Sequence, residues 1–387
     1  MSDFLSEIII LNISSMRIVL FCENKYAIDI LNPIQIEANR EGNNETLWYV
    51  HREKIPDFPF QREVRWTNSI QEVYNFSPEV IFVPGNIVPY YLPGVKIQIF
   101  HGYAAEKKDH WVIRRYFDTY FTQGPFFTNN FLKLARKYND FEVLETGWPR
   151  QDWVKEHLHD FDKEKEALLA KYQRKHLVLY APTFSPSLTS LPHLKTALVD
   201  LTNKEDVLII IKLHPLTRQE WVDEYKELAR NNKNIVWIDD FTVTKYQLMA
   251  DMMISDTSST IYEFLLLDKP VITLRAISKD IYWKDITEPE QLCNAFSEVL
   301  HNESYINLRK WVISNYDPYS DGKVAHRMLE GARDYIYRHG VPKYRSLNLW
   351  RKYTVIKTFG WITMDSSIHL PSYHLALKKL FSKPIEG

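Results

Sequence analysis

The sequence is poor in cysteine: Cys22 and Cys293 are its only two among 387 residues. Both lie in segments that read as core. They give neither a disulfide framework nor a zinc-ligand pattern, and they suit a reducing cytosol. Net charge is missing too, since 48 basic residues against 49 acidic ones leave a formal charge of −1. With no basic excess, bulk electrostatics would not hold a nucleic acid, and none is expected as a partner. No apolar run is long enough to cross a bilayer. The first, Ile8 to Phe21, is broken by Asn12, Ser14, Ser15 and Arg17, whereas a spanning helix needs about 20 apolar residues. That stretch also lacks a basic leading segment and a small-residue cleavage site, so it is not read as a signal peptide. Met16 is an alternative start, because Arg17 to Phe21 already reads as a buried strand. Internal repeats and low-complexity tracts are absent. So are a carboxylate pair for glycoside cleavage, a glycine-rich phosphate loop and a nucleophile elbow. No metal and no cofactor is called for.

What is present is the composition of an ordinary soluble globular protein, 45% apolar and 25% charged, at a length that suits two domains of roughly 100–200 residues each. Strand-like and helix-like segments alternate. Ile18–Phe21, Thr46–Val50, Glu79–Val83, Val95–Phe100, Asp118–Thr122 and Glu142–Glu145 read as strands, with helical spacing over Tyr26–Asn39 and Phe126–Lys137. The charged helical stretch Gln151–Arg174 is read as the crossing between two halves. The alternation then resumes with strands at Leu177–Ala181, Val207–Leu213, Ile235–Ile238 and Pro270–Leu274, and helices near Pro289–Leu300 and Val324–Tyr337. This pattern predicts an α/β protein with parallel sheets covered by helices on both faces. Two such halves place a ligand in the cleft where loops leave the strand C-termini.

Three loops of that kind carry polar chemistry. Ser255-Asp256-Thr257-Ser258-Ser259 lies between an apolar strand and the helical spacing of Ile261, Phe264 and Leu265. A helix cap needs one such residue and here there are five, which makes the turn a candidate site for a phosphate or diphosphate. His101-Gly102 follows a strand of the first half and His214-Pro215 a strand of the second. An imidazole titrates near neutral pH and can accept a proton from an attacking hydroxyl or donate to a leaving phosphate. Gly102 would let the backbone approach a ligand closely.

From about Lys343 the chain turns basic and aromatic. Lys343, Arg345, Arg351, Lys352, Lys357, Lys378, Lys379 and Lys383 face only Asp365 and Glu386, and Trp350, Tyr353, Phe359, Trp361 and Phe381 are interleaved. Two readings stand: a segment on an anionic membrane surface, and a C-terminal helix packed back on the body with its basic face solvated.

Together the motifs resemble the CDP-glycerol glycerophosphotransferases, the teichoic-acid primases and polymerases. The resemblance rests on Phe100-His101-Gly102, Tyr120-Phe121-Thr122, Thr146-Gly147-Trp148-Pro149-Arg150-Gln151-Asp152, Tyr180-Ala181-Pro182-Thr183-Phe184 and Lys212-Leu213-His214-Pro215. It extends to Ser255–Ser259 with Asp268-Lys269-Pro270, and to Asp321-Gly322-Lys323 with Arg327. It implies a GT-B-like fold: a Rossmann-like acceptor-side domain over 1–155, a Rossmann-like CDP domain over 156–338, and a basic helical tail over 339–387. It implies a transferase moving glycerol phosphate, or another alditol phosphate, from a CDP-linked donor to a hydroxyl of a lipid-linked or polysaccharide acceptor, with release of CMP. The setting expected is the cytoplasm, with a peripheral place on the inner face of the cell membrane left open by the two readings of the tail. In this reading His101 is the base, His214 steadies the donor phosphates, and Thr257, Ser258 and Ser259 bind the diphosphate. Ser255, Asp256, Thr183, Arg150 and Gly102 complete the donor side. The chain departs from the family pattern after His101-Gly102, with Tyr103-Ala104-Ala105-Glu106-Lys107 where Thr-Pro and a nearby lysine are usual. It departs again at Phe184-Ser185, where Trp and a basic residue are usual. Two further readings share the cleft: a GT-B glycosyltransferase using a nucleotide sugar in capsule or lipopolysaccharide synthesis, and a binding protein without activity.

Overall fold

The computed structural model describes residues 15–103, 105–240, 243–278, 280–301 and 305–362. The readings made for residues 1–14 and for the end of the tail, Lys378, Lys379, Phe381 and Lys383 included, lie outside them.

The first half is built from β1 (Arg17–Cys22), α1 (Tyr26–Glu41), β2 (Glu45–Val50), β3 (Trp66–Thr67), α2 (Ile70–Phe76), β4 (Val80–Val83), β5 (Val95–Gln98), β6 (Thr119–Thr122), α3 (Pro125–Tyr138) and β7 (Glu142–Glu145). Next come α4 (Arg150–Glu156) and α5 (Asp162–Tyr172), which carry the chain across to the second sheet. The second half continues with β8 (His176–Tyr180), α6 (Leu191–Lys204), β9 (Val207–Ile211), α7 (Gln219–Asn231), β10 (Ile235–Trp237), α8 (Thr244–Met249), β11 (Met252–Ser255), α9 (Thr260–Leu265), β12 (Val271–Leu274), β13 (Lys284–Ile286) and α10 (Leu292–His301). Three helices close the described chain: α11 (Ile306–Tyr316), α12 (Val324–His339) and α13 (Leu349–Phe359).

Two separate sheets result, with strand orders β3-β2-β1-β4-β5-β6-β7 and β10-β9-β8-β11-β12-β13. Each strand pair is parallel, for example Ile18 against Thr46 and Val178 against Ile209. The parallel pairing follows from the strands themselves. Val-Leu-Ile-Ile-Ile of β9 and Val-Ile-Phe-Val of β4 are buried at every residue, as strands covered on both faces by helices must be. The short strands β3 and β13 give no such run, and they are edge strands of the two sheets, where two or three pairings suffice.

The last helices return to the first half. Helix α12 packs on α1, and Gly331 lies against Leu144 and Phe121 of the first sheet, where a Cβ would come within 2.3 Å of Leu144. In α13, Val355 and Lys352 are buried while Trp350 is 74% exposed. Arg345, just before α13, pairs with the buried Asp118 at 2.7 Å. The start of the basic tail therefore packs back on the body and keeps one aromatic edge in solvent. Among the described residues, no helix is long and apolar enough to cross a membrane.

Candidate active site

In each all-parallel sheet the order of strand addition reverses at one place, between β1 and β4 and between β8 and β11. Loops leaving such a pair of neighbours diverge and open a crevice at the strand C-termini. In the second half those two loops are the one carrying Thr183 and the serine turn. Asp256 ties them together. Its carboxylate accepts from the Thr183 N–H at 2.8 Å, the Ser190 N–H at 2.7 Å, the Ser190 hydroxyl at 2.9 Å and the Thr257 N–H at 2.7 Å. Burial pushes its pKa up, against the pull of these donors. Ser255 donates its hydroxyl to the Ala181 carbonyl at 2.7 Å. Ser255 and Asp256 are both fully buried, so their polar atoms serve to build the turn.

The remaining three residues of the run, together with Asp256, line a pocket. Thr257, Ser258 and Ser259 line it together with Glu106, Lys107, Tyr262, Ile277 and Ser278. The Ser258 and Thr260 hydroxyls share a hydrogen bond of 2.7 Å, and the Thr257 hydroxyl accepts from the Ile277 N–H at 2.9 Å. Helix α9 behind the turn has only six residues. Anion binding here would thus depend on local hydroxyl and N–H groups more than on a long helix dipole.

His101 stands just beyond β5, on a backbone held in rare conformations. Phe100 has φ 59° and Gly102 φ 137°, and positive φ is unusual for a residue as bulky as phenylalanine. Ring contacts hold Phe100 in place, on His110 at 4.9 Å and Phe131 at 5.0 Å. A Cβ on Gly102 would meet no protein atom within 4 Å, so within the protein itself it is φ that favours glycine there. His101 Nδ1 lies 3.3 Å from the Pro84 carbonyl oxygen. A carbonyl only accepts, so Nδ1 carries the proton and Nε2 keeps a free lone pair. His101 is solvent-accessible yet closely surrounded by protein, and burial lowers its pKa below the usual imidazole value.

His214 shows the opposite arrangement. Its Nδ1 accepts from the Leu216 N–H at 3.1 Å, so a neutral ring holds its proton on Nε2. The Phe184 ring stacks on it at 4.3 Å, and burial, then Lys212, lowers its pKa. Lys212 is itself buried, donates to the Leu213 carbonyl at 3.0 Å, and has its pKa lowered by burial. Lys107 is close enough for its charge to disfavour protonation of both His101 and His214. Lys107 lines the pocket with Ser258, whereas His101 and His214 are not among the residues that line it. Sequence reading met this lysine only as part of a loop that departs from a pattern. Nothing in spacing or periodicity distinguishes it, nor Tyr262 and Ser278.

Arg150 does not line the pocket of the serine turn. Its guanidinium pairs with Glu263 of α9 at 3.2 Å and lies over the Trp148 ring. The segment around it forms a joint with the end of α11 and the start of α12. Asp317 accepts from the Tyr103 hydroxyl at 2.6 Å and the Trp148 N–H at 3.0 Å. Asp152 caps α12 through the Val324 and Ala325 N–H groups at 2.9 and 2.7 Å. Arg327 donates to the Thr146 carbonyl at 2.9 Å and pairs with Asp321 at 2.7 Å. Two of the sequence motifs, Thr146–Asp152 and Asp321–Arg327, are thereby the two sides of one structural contact.

The profile of the CDP-Glycerol:Poly(glycerophosphate) glycerophosphotransferase family matches residues 94–331. The chain belongs to that family. The match takes in His101, the Thr146–Asp152 joint, Thr183, His214 and the serine turn. Among curated proteins, a teichoic acid glycerol-phosphate primase of Bacillus subtilis is 30% identical over 164 residues, 40% of this chain and 38% of that protein. The teichoic acid ribitol-phosphate polymerase TarL of Staphylococcus aureus is 26% identical over 209 residues, 48% of this chain and 36% of that protein. The chain thus spans little more than a third of these relatives' lengths. Among solved structures, the wall teichoic acid polymerase TagF superposes with a TM-score of 0.61 at 17% identity, covering 84% of this chain and 89% of that one. The S. aureus MnaA–UDP structure gives 0.61 at 14% identity, over 86% and 100%. These likenesses establish the GT-B type of fold, two Rossmann-like halves with added C-terminal helices.

Proposed function

We propose that this family member transfers an alditol phosphate, glycerol phosphate in the first instance, from a CDP-linked donor to a hydroxyl of a cell-surface polymer acceptor. The acceptor oxygen attacks the distal phosphorus and its proton passes to Nε2 of His101. The bond from that phosphorus to the bridging oxygen breaks, and CMP leaves with the electron pair. The Nε2–H of His214 donates to the phosphate oxygens as charge moves onto the leaving group, with Lys107 adding positive charge beside both. Ser258, Ser259 and Thr257 hold the diphosphate. Such a transfer asks for position and charge neutralisation more than covalent catalysis. The observation that carries the reading is the pair of neutral histidines with protons on opposite ring nitrogens, one able to accept and one to donate.

The deciding experiment is a thermal-shift screen with CDP-glycerol, CDP-ribitol and UDP- and CMP-sugars, since a ligand that binds only the folded state raises its melting temperature. A shift with a CDP-alditol, lost in the Ser258→Ala/Ser259→Ala variant, supports the phosphotransferase and names the donor. A shift with nucleotide sugars alone supports the glycosyltransferase.

The acceptor side is proposed to be membrane-borne. On α13, Leu349, Trp350 and Tyr353 are exposed on one edge, with Lys357 on the same side and Tyr344 exposed just before the helix. An aromatic edge among cations suits the surface of an anionic bilayer. Sedimentation with phosphatidylglycerol vesicles tests it: Trp350→Ala/Tyr353→Ala should remain largely in the supernatant. Undiminished binding by that variant would remove α13 as the anchor.

A further inference from the structure

The pocket at the serine turn contains a carboxylate where an anionic ligand is to bind. Glu106, from the loop after His101, reaches across the cleft and accepts hydrogen bonds from the Tyr262 hydroxyl and from the Ser278 hydroxyl, the latter at 3.2 Å. It lines the same pocket as Thr257, Ser258 and Ser259. A bare phosphate beside a carboxylate is repelled, so a diphosphate on the turn must direct something else toward Glu106. What the carboxylate accepts from the protein is the Tyr262 hydroxyl proton, while the single Ser278 proton is shared with the nearer Asp280 carbonyl at 2.8 Å. Aromatic rings stand around it. Tyr262 stacks on Tyr316 at 4.7 Å, and Tyr282 and Tyr316 both lie close enough to feel the Glu106 charge. These rings stack on one another and on Phe126 and Trp311, so what Glu106 offers the pocket is its carboxylate, an acceptor suited to a molecule with several hydroxyls on a carbon chain or ring.

We propose that Glu106 is a specificity-determining residue that accepts hydrogen bonds from ligand hydroxyls in place of those of Tyr262 and Ser278, and so forms a polyol subsite next to the phosphate turn. The inference rests on the proposed function for the placement of the diphosphate. The polyol is either the alditol end of the donor or the terminal unit of the acceptor. Both present the same chemistry to the carboxylate.

The test is isothermal titration of the full chain and of Glu106→Ala and Glu106→Gln with CDP, with CDP-glycerol, and with a short glycerol-phosphate oligomer in the presence of CMP. A charge-assisted hydrogen bond lost to truncation weakens binding by roughly tenfold or more. If the donor alditol is the polyol, Glu106→Ala binds CDP-glycerol about tenfold more weakly and CDP unchanged. If it is the acceptor, the loss falls on the oligomer alone. In either case Glu106→Gln, which keeps an accepting oxygen, recovers part of the loss. The proposal is overturned if both variants bind CDP and CDP-glycerol more tightly and to the same extent, for then Glu106 only plugs the phosphate site. It is also overturned if neither variant changes any affinity. The underlying reading fails separately, when the unaltered chain binds no cytidine ligand. In that event the same comparison is made with UDP and UDP-sugars.

Discussion

His101 holds its proton on Nδ1 and His214 holds its proton on Nε2. The assignment follows from the fixed partners, a carbonyl that only accepts and a backbone N–H that only donates. The two rings are therefore prepared for opposite roles. His101→Ala should lower the rate of CMP release from CDP-glycerol by about 10²–10⁴, the usual value of a positioned proton acceptor, while leaving donor affinity in place. His214→Ala should lower both rate and donor affinity. Full activity in the double variant would remove both residues from the chemistry.

The pH dependence follows from the same pair. Burial lowers both imidazole pKa values, so each ring stays neutral below the ordinary value of about 6.5. The acid limb of CMP release should accordingly fall below pH ~6.5. A limb centred above that value would contradict the assignment. Stability moves in the same direction. As pH falls through the unfolded value, the unfolded chain binds protons that the folded rings refuse, so these two groups cost stability on the acid side and none above it.

Arg150 and Glu263 are both mostly buried, with 15% and 13% of their side chains exposed. Removing one partner leaves the other charge without compensation in a poorly solvated place. Arg150→Met should destabilise the fold by about 3 kcal/mol in chemical denaturation, and Arg150→Met/Glu263→Leu should recover much of it. Should Arg150→Met instead leave stability unchanged and weaken CDP-glycerol binding, Arg150 is a donor contact.

Asp317 joins the loop of His101 to the turn of Trp148 through three donors, the Tyr103 hydroxyl and the Trp148 and Tyr319 N–H groups. Burial nonetheless pushes its pKa up to about 8. From the unfolded carboxyl value near ~4 up to about 8, the folded chain keeps a proton that the unfolded chain has lost, so this group subtracts stability as pH rises. Tyr103→Phe should cost about 1–2 kcal/mol, the value of a lost buried hydrogen bond. In Asp317→Asn the fall of stability across that window should be smaller, by up to about 1.4 kcal/mol per pH unit. An unchanged pH slope would show that Asp317 does not titrate there.

Much of the fold was legible in the residues. Buried parallel strands such as Val207–Ile211 are continuous apolar runs, and the loops at their ends are polar. Periodicity and turn chemistry are local properties, so Ser255–Ser259, Thr183, His101 and His214 could all be placed at strand ends in advance. The short edge strands Trp66–Thr67 and Lys284–Ile286 were not legible, because two or three residues carry no period and their pairing comes from a neighbour.

The division of labour within the motifs was decided by the tertiary structure. Local chemistry selected five hydroxyl and carboxyl residues in a row. Only the packing of β8 against β11 made Ser255 and Asp256 the hydrogen-bonded frame of the turn and set Asp256, Thr257, Ser258 and Ser259 along the pocket. The Glu263 partner of Arg150 lies more than a hundred residues away in the chain and is met only in the folded structure. Lys107 and Glu106 gain meaning only from what stands across the cleft. The tautomers of the two histidines depend on Pro84 and Leu216, whose backbone groups are fixed by the fold. Local residue chemistry indicates which side chains can act at the ends of which strands. The structure decided which of them face one another, because hydrogen bonds and ion pairs between distant segments exist only after the chain has packed.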